Sequence, residues 1–314
     1  MSTIELGLQI GFLYCPFALG IYVAMRALSL PDLTLEGSFG LGGCVCAAML
    51  ADGRGAVPSL AIGCLGGAAL GLLTTFLHLR LHLNVLLAGI LVTTGSWSLC
   101  ILVMGASNVS LLTQQTIFTW AQDAGLDSGR ATLFVAGGIT VVLGAALIAF
   151  FNSRLGLSMR ATGMNIQTAR SMGVRTEARQ AVGLATANGL AACSGALVAQ
   201  QQGFMDVSAS SGVVVIGLAA LMIGIAVIPS PRPHWAILSV ILGACIYRTM
   251  VAWTLEQGLD PNYVKLVTAV AVATVLAVRN ASFSLKALPW TEGGRRRRRR
   301  RFTYYENDKV ATFL

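Results

Sequence analysis

Long apolar stretches, separated by short polar connectors, follow one another along the chain and restrict it to a membrane. A helix needs about 20 mostly apolar residues to cross the hydrocarbon core of a bilayer. Eight stretches are close to that length: Ile4–Leu28, Val57–His78, Leu83–Gly105, Ala131–Phe151, Ala178–Gln200, Gly212–Ile228, His234–Trp253 and Tyr263–Val278. Only 11% of the residues are charged, too few to cover the surface of a soluble domain. The sequence therefore predicts an all-α, polytopic bundle of transmembrane helices and argues against a soluble enzyme.

One further apolar piece, Ser38–Ala51, is too short to span the bilayer by itself. The segment before it, Ser29–Gly37, is polar and contains a proline. Non-helical backbone at membrane depth is stable only where protein or a water-filled cavity satisfies its polar groups. We therefore expect a broken helix that lines the solute pathway. Counting this short helix as a crossing gives about nine passes.

The distribution of charge predicts the orientation of the chain. Four arginines and a single acid, Glu177, lie in the loop 152–178, whereas the loop 106–130 carries Asp123 and Asp127 against Arg130. Basic loops stay in the cytoplasm, so the loop 152–178 should be cytoplasmic. With nine passes, the N-terminus is then outside and the C-terminus is cytoplasmic, as expected for a protein of the bacterial inner membrane.

The C-terminal residues 287–314 are expected to form a disordered cytoplasmic tail after a transmembrane domain at 1–286. Seven consecutive arginines, Arg295–Arg301, account for much of the formal net charge of +9. A block of like charges repels itself and is normally solvated. Close to the membrane each arginine gains about 1 kcal/mol against anionic lipid. We therefore expect this run to bind anionic lipid rather than nucleic acid.

Small residues recur at every fourth position in two of the apolar stretches, which predicts closely packed helices. They are Gly63, Gly67 and Gly71 in one stretch and Ala187, Ala191, Gly195 and Ala199 in the other. The seven cysteines are scattered and fit neither a zinc site nor a disulfide framework. His78 and His82 share a helix face but have no third ligand nearby, so we expect no metal and no cofactor.

The basic loop contains the segment Arg160–Thr176, which predicts a short amphipathic helix. The helix would begin near Asn165 and end at Gly173, because glycine suits the left-handed position that follows a helix end. On physical grounds two interpretations remain open. The segment is either a docking surface for a motor protein or a basic connector held near lipid headgroups.

Arg160–Thr176 resembles the cytoplasmic loop of permeases of ATP-binding-cassette (ABC) importers, specifically the branched-chain amino acid/ribose-type permease family. Four more segments resemble the same family in the same order: Ala27–Phe39, Ala199–Ser208, Val215–Gly224 and Gly258–Asn262. The tetrapeptide Pro-Asp-Leu-Thr at 31–34 is typical of a poorly characterised branch. Ile225 and Met164 stand where relatives commonly carry an acid.

The resemblance implies a subunit that moves solute while another chain hydrolyses ATP. The chain has no Gly-x-x-x-x-Gly-Lys-Ser/Thr loop to hold ATP phosphates, so we do not expect an enzyme. The implied partners are an ATPase, a second permease subunit and an extracytoplasmic solute-binding protein. The expected solute is small and polar, an amino acid. The residues expected to couple to the ATPase are Arg160, Gly163, Asn165, Ala169, Arg170 and Gly173.

Polar residues within or beside the apolar stretches are the candidates for the solute pathway, because polar groups are costly in lipid unless they face protein or water. The candidates are Asp32, Thr34, Glu36, Ser38, Asn84, Thr93, Thr94, Asn188, Gln200 and Asp206. The alternative for each hydroxyl or amide is a hydrogen bond between helices, which contributes about 0.6 kcal/mol. At the level of function, the alternative is a stand-alone ion-coupled transporter or channel that uses Asp32 and Glu36.

Overall fold

A computed structural model describes residues 3–230 and 232–257 as a bundle of helices. Eight helices of this part of the chain are long and apolar enough to cross a membrane. They correspond to seven of the predicted full-length passes and to the predicted short helix, which confirms the polytopic helical fold. The ninth predicted pass, Tyr263–Val278, the segment Gly258–Asn262 and the arginine-rich tail lie outside the described residues.

The helices follow one another along the chain with short connections. In order they are α1 (Thr3–Ile21), which continues as a π-helix (Tyr22–Ala27), α2 (Thr34–Ala51), α3 (Ala56–Arg80), α4 (Val85–Met104), α5 (Ile117–Asp123), α6 (Ser128–Asn152), α7 (Arg154–Met164), α8 (Ile166–Ser171), α9 (Thr176–Gln202), α10 (Val213–Val227) and α11 (Pro233–Glu256). A short 3-10 helix, Val207–Ser210, precedes α10.

The connectors between the long helices carry the remaining regular structure and define the two ends of the bundle. Strands β1 (Asn108–Ser110) and β2 (Phe204–Asp206) pair antiparallel, with Asn108 opposite Asp206. We call the end that bears β1 and β2 the sheet end. Helices α7 and α8 lie between α6 and α9 at the opposite end, which we call the coupling end.

The predicted broken helix is present, but its break is shorter than expected. The prediction that the helix begins at Ser38 was wrong by one turn, because α2 begins at Thr34. The non-helical chain is limited to residues 28–33, where Ser29 has a φ of 57°. The prediction placed Thr34 and Glu36 in the break because they are polar. Both lie in α2, where Thr34 hydrogen-bonds to Thr74 of α3 and Glu36 accepts from the N–H of Gly212.

Helix α9 lies at the centre of the bundle, and the backbones of α1, α2 and α3 pack directly against it. A Cβ on Gly20 of α1 would lie 2.5 Å from the backbone oxygen of Ala187, and one on Gly71 of α3 would lie 2.5 Å from that of Leu184. A Cβ on Gly195 would overlap the carbonyl oxygen of Phe39 on α2. The small-residue stripes therefore serve close helix packing within the chain, as predicted.

A second group consists of α1, α10 and α11. A Cβ on Gly11 of α1 would lie 2.9 Å from Cα of Cys245 on α11, and one on Gly243 of α11 would overlap the carbonyl oxygen of Ala220 on α10. Helix α1 thus belongs to both groups and joins α9 to α11.

The chain between α9 and α10 runs back into the bundle beside α2 rather than staying at the sheet end. The side chain of Met205 lies against Gly43, that of Ser210 lies against Gly40, and the N–H of Gly212 donates to Glu36 Oε1 at 2.9 Å. Because α2 rises about 1.5 Å per residue, this segment descends about 10 Å along it. Helix α10 therefore begins inside the bundle.

Candidate functional site

A buried polar network joins the break before α2 to the central helix α9. Asp32 is fully buried, and its Oδ2 accepts a hydrogen bond from Asn188 Nδ2 at 2.8 Å. Its Oδ1 accepts from the N–H of Thr34 at 2.8 Å, which satisfies a donor in the first turn of α2. The hydroxyl of Ser38 donates to Asn188 Oδ1 at 2.7 Å. Both oxygens of Asp32 and both ends of the Asn188 amide are thus engaged.

Helices α3 and α4 are hydrogen-bonded to the end of the same break, at Leu33 and Thr34. The hydroxyls of Thr34 and Thr74 lie 2.6 Å apart, and the hydroxyl of Thr93 on α4 donates to the carbonyl of Leu33 at 2.9 Å. Gly89 lets α4 come close, since a Cβ there would lie 2.9 Å from the nitrogen of Leu33. Four helices are therefore tied to the non-helical chain. We call Asp32, Thr34, Ser38, Thr74, Thr93 and Asn188 the junction network.

Glu36 is half-buried and makes a separate contact, to the start of α10. Its carboxylate accepts from the N–H of Gly212, the residue that precedes the first turn of α10. A negative charge is favourable at a helix N-terminus, where backbone N–H groups lack partners. Glu36 thereby holds α10 against α2 inside the bundle.

The other four predicted pathway residues lie away from the junction network. Asn84 is exposed and caps α4, accepting from the N–H of Leu86 at 3.0 Å, and Thr94 donates to Ile90 in its own helix. Gln200 is buried near the sheet end and accepts from the N–H of Ile117 at 3.0 Å. Asp206 follows it at the sheet end. Hydrogen bonds donated by the hydroxyl and the N–H of Ser208 lower the pKa of Asp206.

Thr93 and Thr94 form a matched pair for testing the junction network. Both are threonines on α4, but the hydroxyl of Thr93 bonds to the break and that of Thr94 bonds to its own helix. We expect Thr93→Val to lower the free energy of unfolding by about 1 kcal/mol, with Thr94→Val near neutral. Thermal unfolding in detergent measures the effect of each substitution. Equal effects of the two substitutions would contradict a specific role for Thr93.

The coupling end carries the predicted short helix together with one helix that was not predicted. Helix α8 begins after Asn165, whose side chain accepts from the N–H of Thr168 at 3.0 Å, and Gly173 follows its end with a φ of 79°. Ala169 is the buried residue of α8. The preceding α7, Arg154–Met164, was missed because a stretch with two arginines and two glycines shows no clear apolar periodicity.

Helix α7 packs against the chain that leads into the break. A Cβ on Gly163 would overlap the carbonyl oxygen of Ala27, at the end of the π-helix. A Cβ on Gly183 of α9 would lie 2.8 Å from Sδ of Met159 and would overlap the side chain of Leu28. Residues of α7, of α9 and of the chain just before the break therefore meet at one point.

Large apolar side chains are exposed around α8, although this segment lies outside the membrane-spanning helices. Met164 is 87% exposed, Met172 is 78% exposed and Ile166 is 41% exposed. Next to them Arg170 lies 3.9 Å from Glu177 and donates to the hydroxyl of Thr176 at 3.4 Å. We call Met164, Ile166 and Met172 the apolar patch. Sequence reasoning missed it, although two methionines flanking a basic helix are a visible signal.

A second feature that sequence reasoning missed is Arg248, eight residues before the end of the membrane-spanning α11. Its guanidinium carbon lies 3.7 Å from the centre of the Tyr14 ring and 5.9 Å from that of Tyr247. A cation over an aromatic ring gains about 2 kcal/mol when both are desolvated. Ionisable residues inside transmembrane helices are rare and often functional. A lone arginine in an apolar stretch could therefore have identified Arg248 as a candidate from the sequence.

In the part of the chain that the structure describes, no three His, Cys, Asp or Glu residues are grouped as metal ligands. The junction network is a set of hydrogen bonds between helices at a break in the backbone. The coupling end combines a rigid contact with that break and an exposed apolar surface.

Comparisons with known proteins agree on one family. A family model described as "Branched-chain amino acid transport system / permease component" matches residues 3–278. The chain is 30% identical over 269 residues to a tyrosine transport system permease protein of Clostridioides difficile, covering 86% of this chain and 88% of the relative. It is also 30% identical over 186 residues to the autoinducer 2 import system permease protein LsrC of Salmonella typhimurium, covering 57% and 52%.

Among solved structures, the chain resembles an ABC transporter of metal-chelate type in an inward-facing conformation. The TM-score is 0.51 at 16% sequence identity, and the match covers 88% of this chain and 83% of that one. At this level of identity the likeness concerns the fold.

Proposed function

Since this chain belongs to the branched-chain amino acid transport system permease family, it is a membrane-embedded permease subunit of an ABC transporter, and we propose that it forms the solute pathway of an importer. The observation that carries this proposal is the apolar patch of Met164, Ile166 and Met172 on a segment that lies outside the membrane-spanning helices. Exposed apolar surface rimmed by charged residues is typical of a docking site. We propose that the patch docks a separate ATPase subunit.

The contacts of α7 support a mechanical route from such a docking site to the pathway. A displacement of α8 would move α7, which rests on Ala27 and Leu28 through Gly163. These residues lead directly into the break, and Asp32 ties the break to Asn188 on α9. ATP-driven closure of the ATPase would thus apply force to the hydrogen bonds that join the break to the central helix. Helices moving as rigid bodies would open the pathway alternately to the two sides.

The remaining partners and the solute rest on the family and on the relatives' names. We propose that a second permease subunit completes the pathway, and that an extracytoplasmic binding protein delivers the solute to the sheet end. This orientation places the coupling end in the cytoplasm, in agreement with the basic loop 152–178. The relative from C. difficile is named as a tyrosine transporter, so an amino acid is the solute we propose.

Within the pathway we propose different roles for the predicted polar residues. Asp32, Ser38 and Asn188 are buried and hydrogen-bonded to one another, so they hold the break in place. Glu36 on α2 and Thr93 on α4 are only half-buried, and they would face solute as the helices separate.

Reconstitution tests the proposal directly. The chain is purified with a co-expressed ATPase of the ABC type and its binding protein, placed in liposomes, and offered radiolabelled L-amino acids. Uptake should require ATP and both partners. Uptake by the chain alone, driven by an ion gradient without ATP, would overturn the importer assignment in favour of a secondary transporter.

Charged substitutions in the apolar patch should separate docking from folding. Burying a methionine or isoleucine side chain contributes about 1.5–3 kcal/mol, so Ile166→Glu with Met172→Glu should weaken ATPase association at least about tenfold. The matched control is Leu112→Glu, since Leu112 is 82% exposed at the sheet end. Co-purification of the ATPase with each variant measures association. Loss of association with L112E, or unchanged association with the double variant, would count against this docking surface.

A further inference from the structure

Arg248 lines a cavity between α1 and α11 that no part of the proposed coupling route uses. The cavity has a volume of about 450 Å³ and is lined by Thr3, Leu6 and Ile10 of α1 and by five residues of α11, of which Arg248 and Glu256 are charged. Glu256 accepts a hydrogen bond from the hydroxyl of Thr3, at the sheet end of both helices. The cavity therefore runs from the sheet end toward the guanidinium of Arg248.

The guanidinium has unused hydrogen-bonding capacity. Its Nε and Nη2 are buried and have no hydrogen-bond partner. Buried donors without partners are unfavourable. A structural role alone leaves these two donors unexplained.

The two free nitrogens define the chemistry of the missing partner. Nε–H and Nη2–H form one edge of the planar guanidinium, and their parallel N–H groups match the two oxygens of a carboxylate. Tyr14 covers the face of the group, and Tyr14 is itself stacked on Phe39 of α2, with ring centres 5.8 Å apart. The edge is thus held in a fixed direction by aromatic rings and is ready for bidentate binding.

We propose that Arg248 binds the carboxylate of the transported solute between α1 and α11, with Tyr14 as the aromatic support of the guanidinium. This inference rests on the proposed importer function and names the residue that recognises its solute. In the conformation described here the edge is covered by protein, so binding requires α1 and α11 to separate. Glu256 at the other end of the cavity would disfavour solutes with two carboxylates and tolerate those that also carry an ammonium group.

The test measures carboxylate recognition without the binding protein, which would impose its own selectivity. Saturation-transfer difference NMR is recorded on the purified permease–ATPase complex with L-tyrosine and L-leucine, and with tyramine and isopentylamine, which lack the carboxylate. The wild-type complex should give signals for the two amino acids and weaker or no signals for the two amines. No amino-acid signal from the wild-type complex, or equal signals from amines, would overturn the inference.

Variants then assign the effect to Arg248. Arg248→Gln should abolish the amino-acid signals and lower ATP-dependent uptake at least about tenfold, and Arg248→Lys should retain part of both. Arg130→Gln is the matched control, because Arg130 is exposed at the same end of the bundle. Tyr14→Leu keeps the arginine but removes its support, and should lower uptake severalfold even if R248Q folds poorly. Uptake by R248Q at the wild-type rate would refute the role of Arg248 without contradicting the importer function. A wild-type complex that shows no ATP-dependent uptake would refute the importer function itself.

Discussion

Replacing Gly195 by alanine should strongly destabilise the folded chain. The added Cβ would overlap the carbonyl oxygen of Phe39, and because the obstacle is backbone on a packed helix, no side-chain rotation relieves it. Overpacking of this kind costs about 3 kcal/mol or more. At about 2–4 °C per kcal/mol, the unfolding temperature in detergent should fall by roughly 6–12 °C, with a matching loss of monodisperse protein.

Gly189 provides the control on the same helix. A Cβ there would lie 3.5 Å from the nearest backbone oxygen, that of Cys64, which is an ordinary contact distance. Gly189→Ala should therefore be neutral or slightly stabilising, because alanine is about 0.5–1 kcal/mol better than glycine inside a helix. If the two variants unfolded at the same temperature, close packing of α9 against α2 would not be what Gly195 provides.

Asn188→Leu should cause the second large loss, in both stability and transport. The substitution keeps the approximate volume but removes the donor to Asp32 and the acceptor for Ser38, leaving a buried carboxylate with one of its two partners. Removing one partner of a buried charge costs about 3–5 kcal/mol. Thermal unfolding and ATP-dependent uptake of the reconstituted complex measure the two effects.

Asn84→Leu is the matched control for this substitution. Asn84 is exposed and caps α4, so its loss should cost only about 1 kcal/mol. A double variant, Asp32→Leu with Asn188→Leu, should cost less than the sum of the two single substitutions, since the buried carboxylate and the amide that donates to it are removed together. Strict additivity would show that Asp32 and Asn188 act independently.

The sequence was sufficient to predict the features that depend on local composition. Apolar length determines whether a segment can span the bilayer, so the crossings of the described chain were predictable, including the short α2. The small-residue stripe of α9 predicted close packing, and Asn165 and Gly173 predicted the limits of α8, because capping depends on neighbouring residues.

The partners of individual polar residues could not be predicted, because they are distant in sequence. Asp32 meets Asn188 across 156 positions, and Glu36 meets Gly212 across 176. Hydropathy treats each of these residues as unfavourable in a membrane, and only the packing of helices shows which partner satisfies it. For the same reason Asn84, which seemed equivalent to Asn188 in the sequence, is an exposed helix cap.

The glycine and alanine surface of α9 has a consequence for motion. Glycine and alanine have no side-chain rotamers to lose on burial, so this contact is formed at little conformational entropy. A surface without interlocking side chains also lets neighbouring helices slide by small shear displacements without rotamer changes, a common mode of conformational change in proteins. Two hydrogen bonds cross this surface and would have to break during sliding: Asn188 donates one to Asp32 and accepts the other from Ser38. The energy barrier between the states of the transporter would then be set largely by these few bonds rather than by repacking of the core.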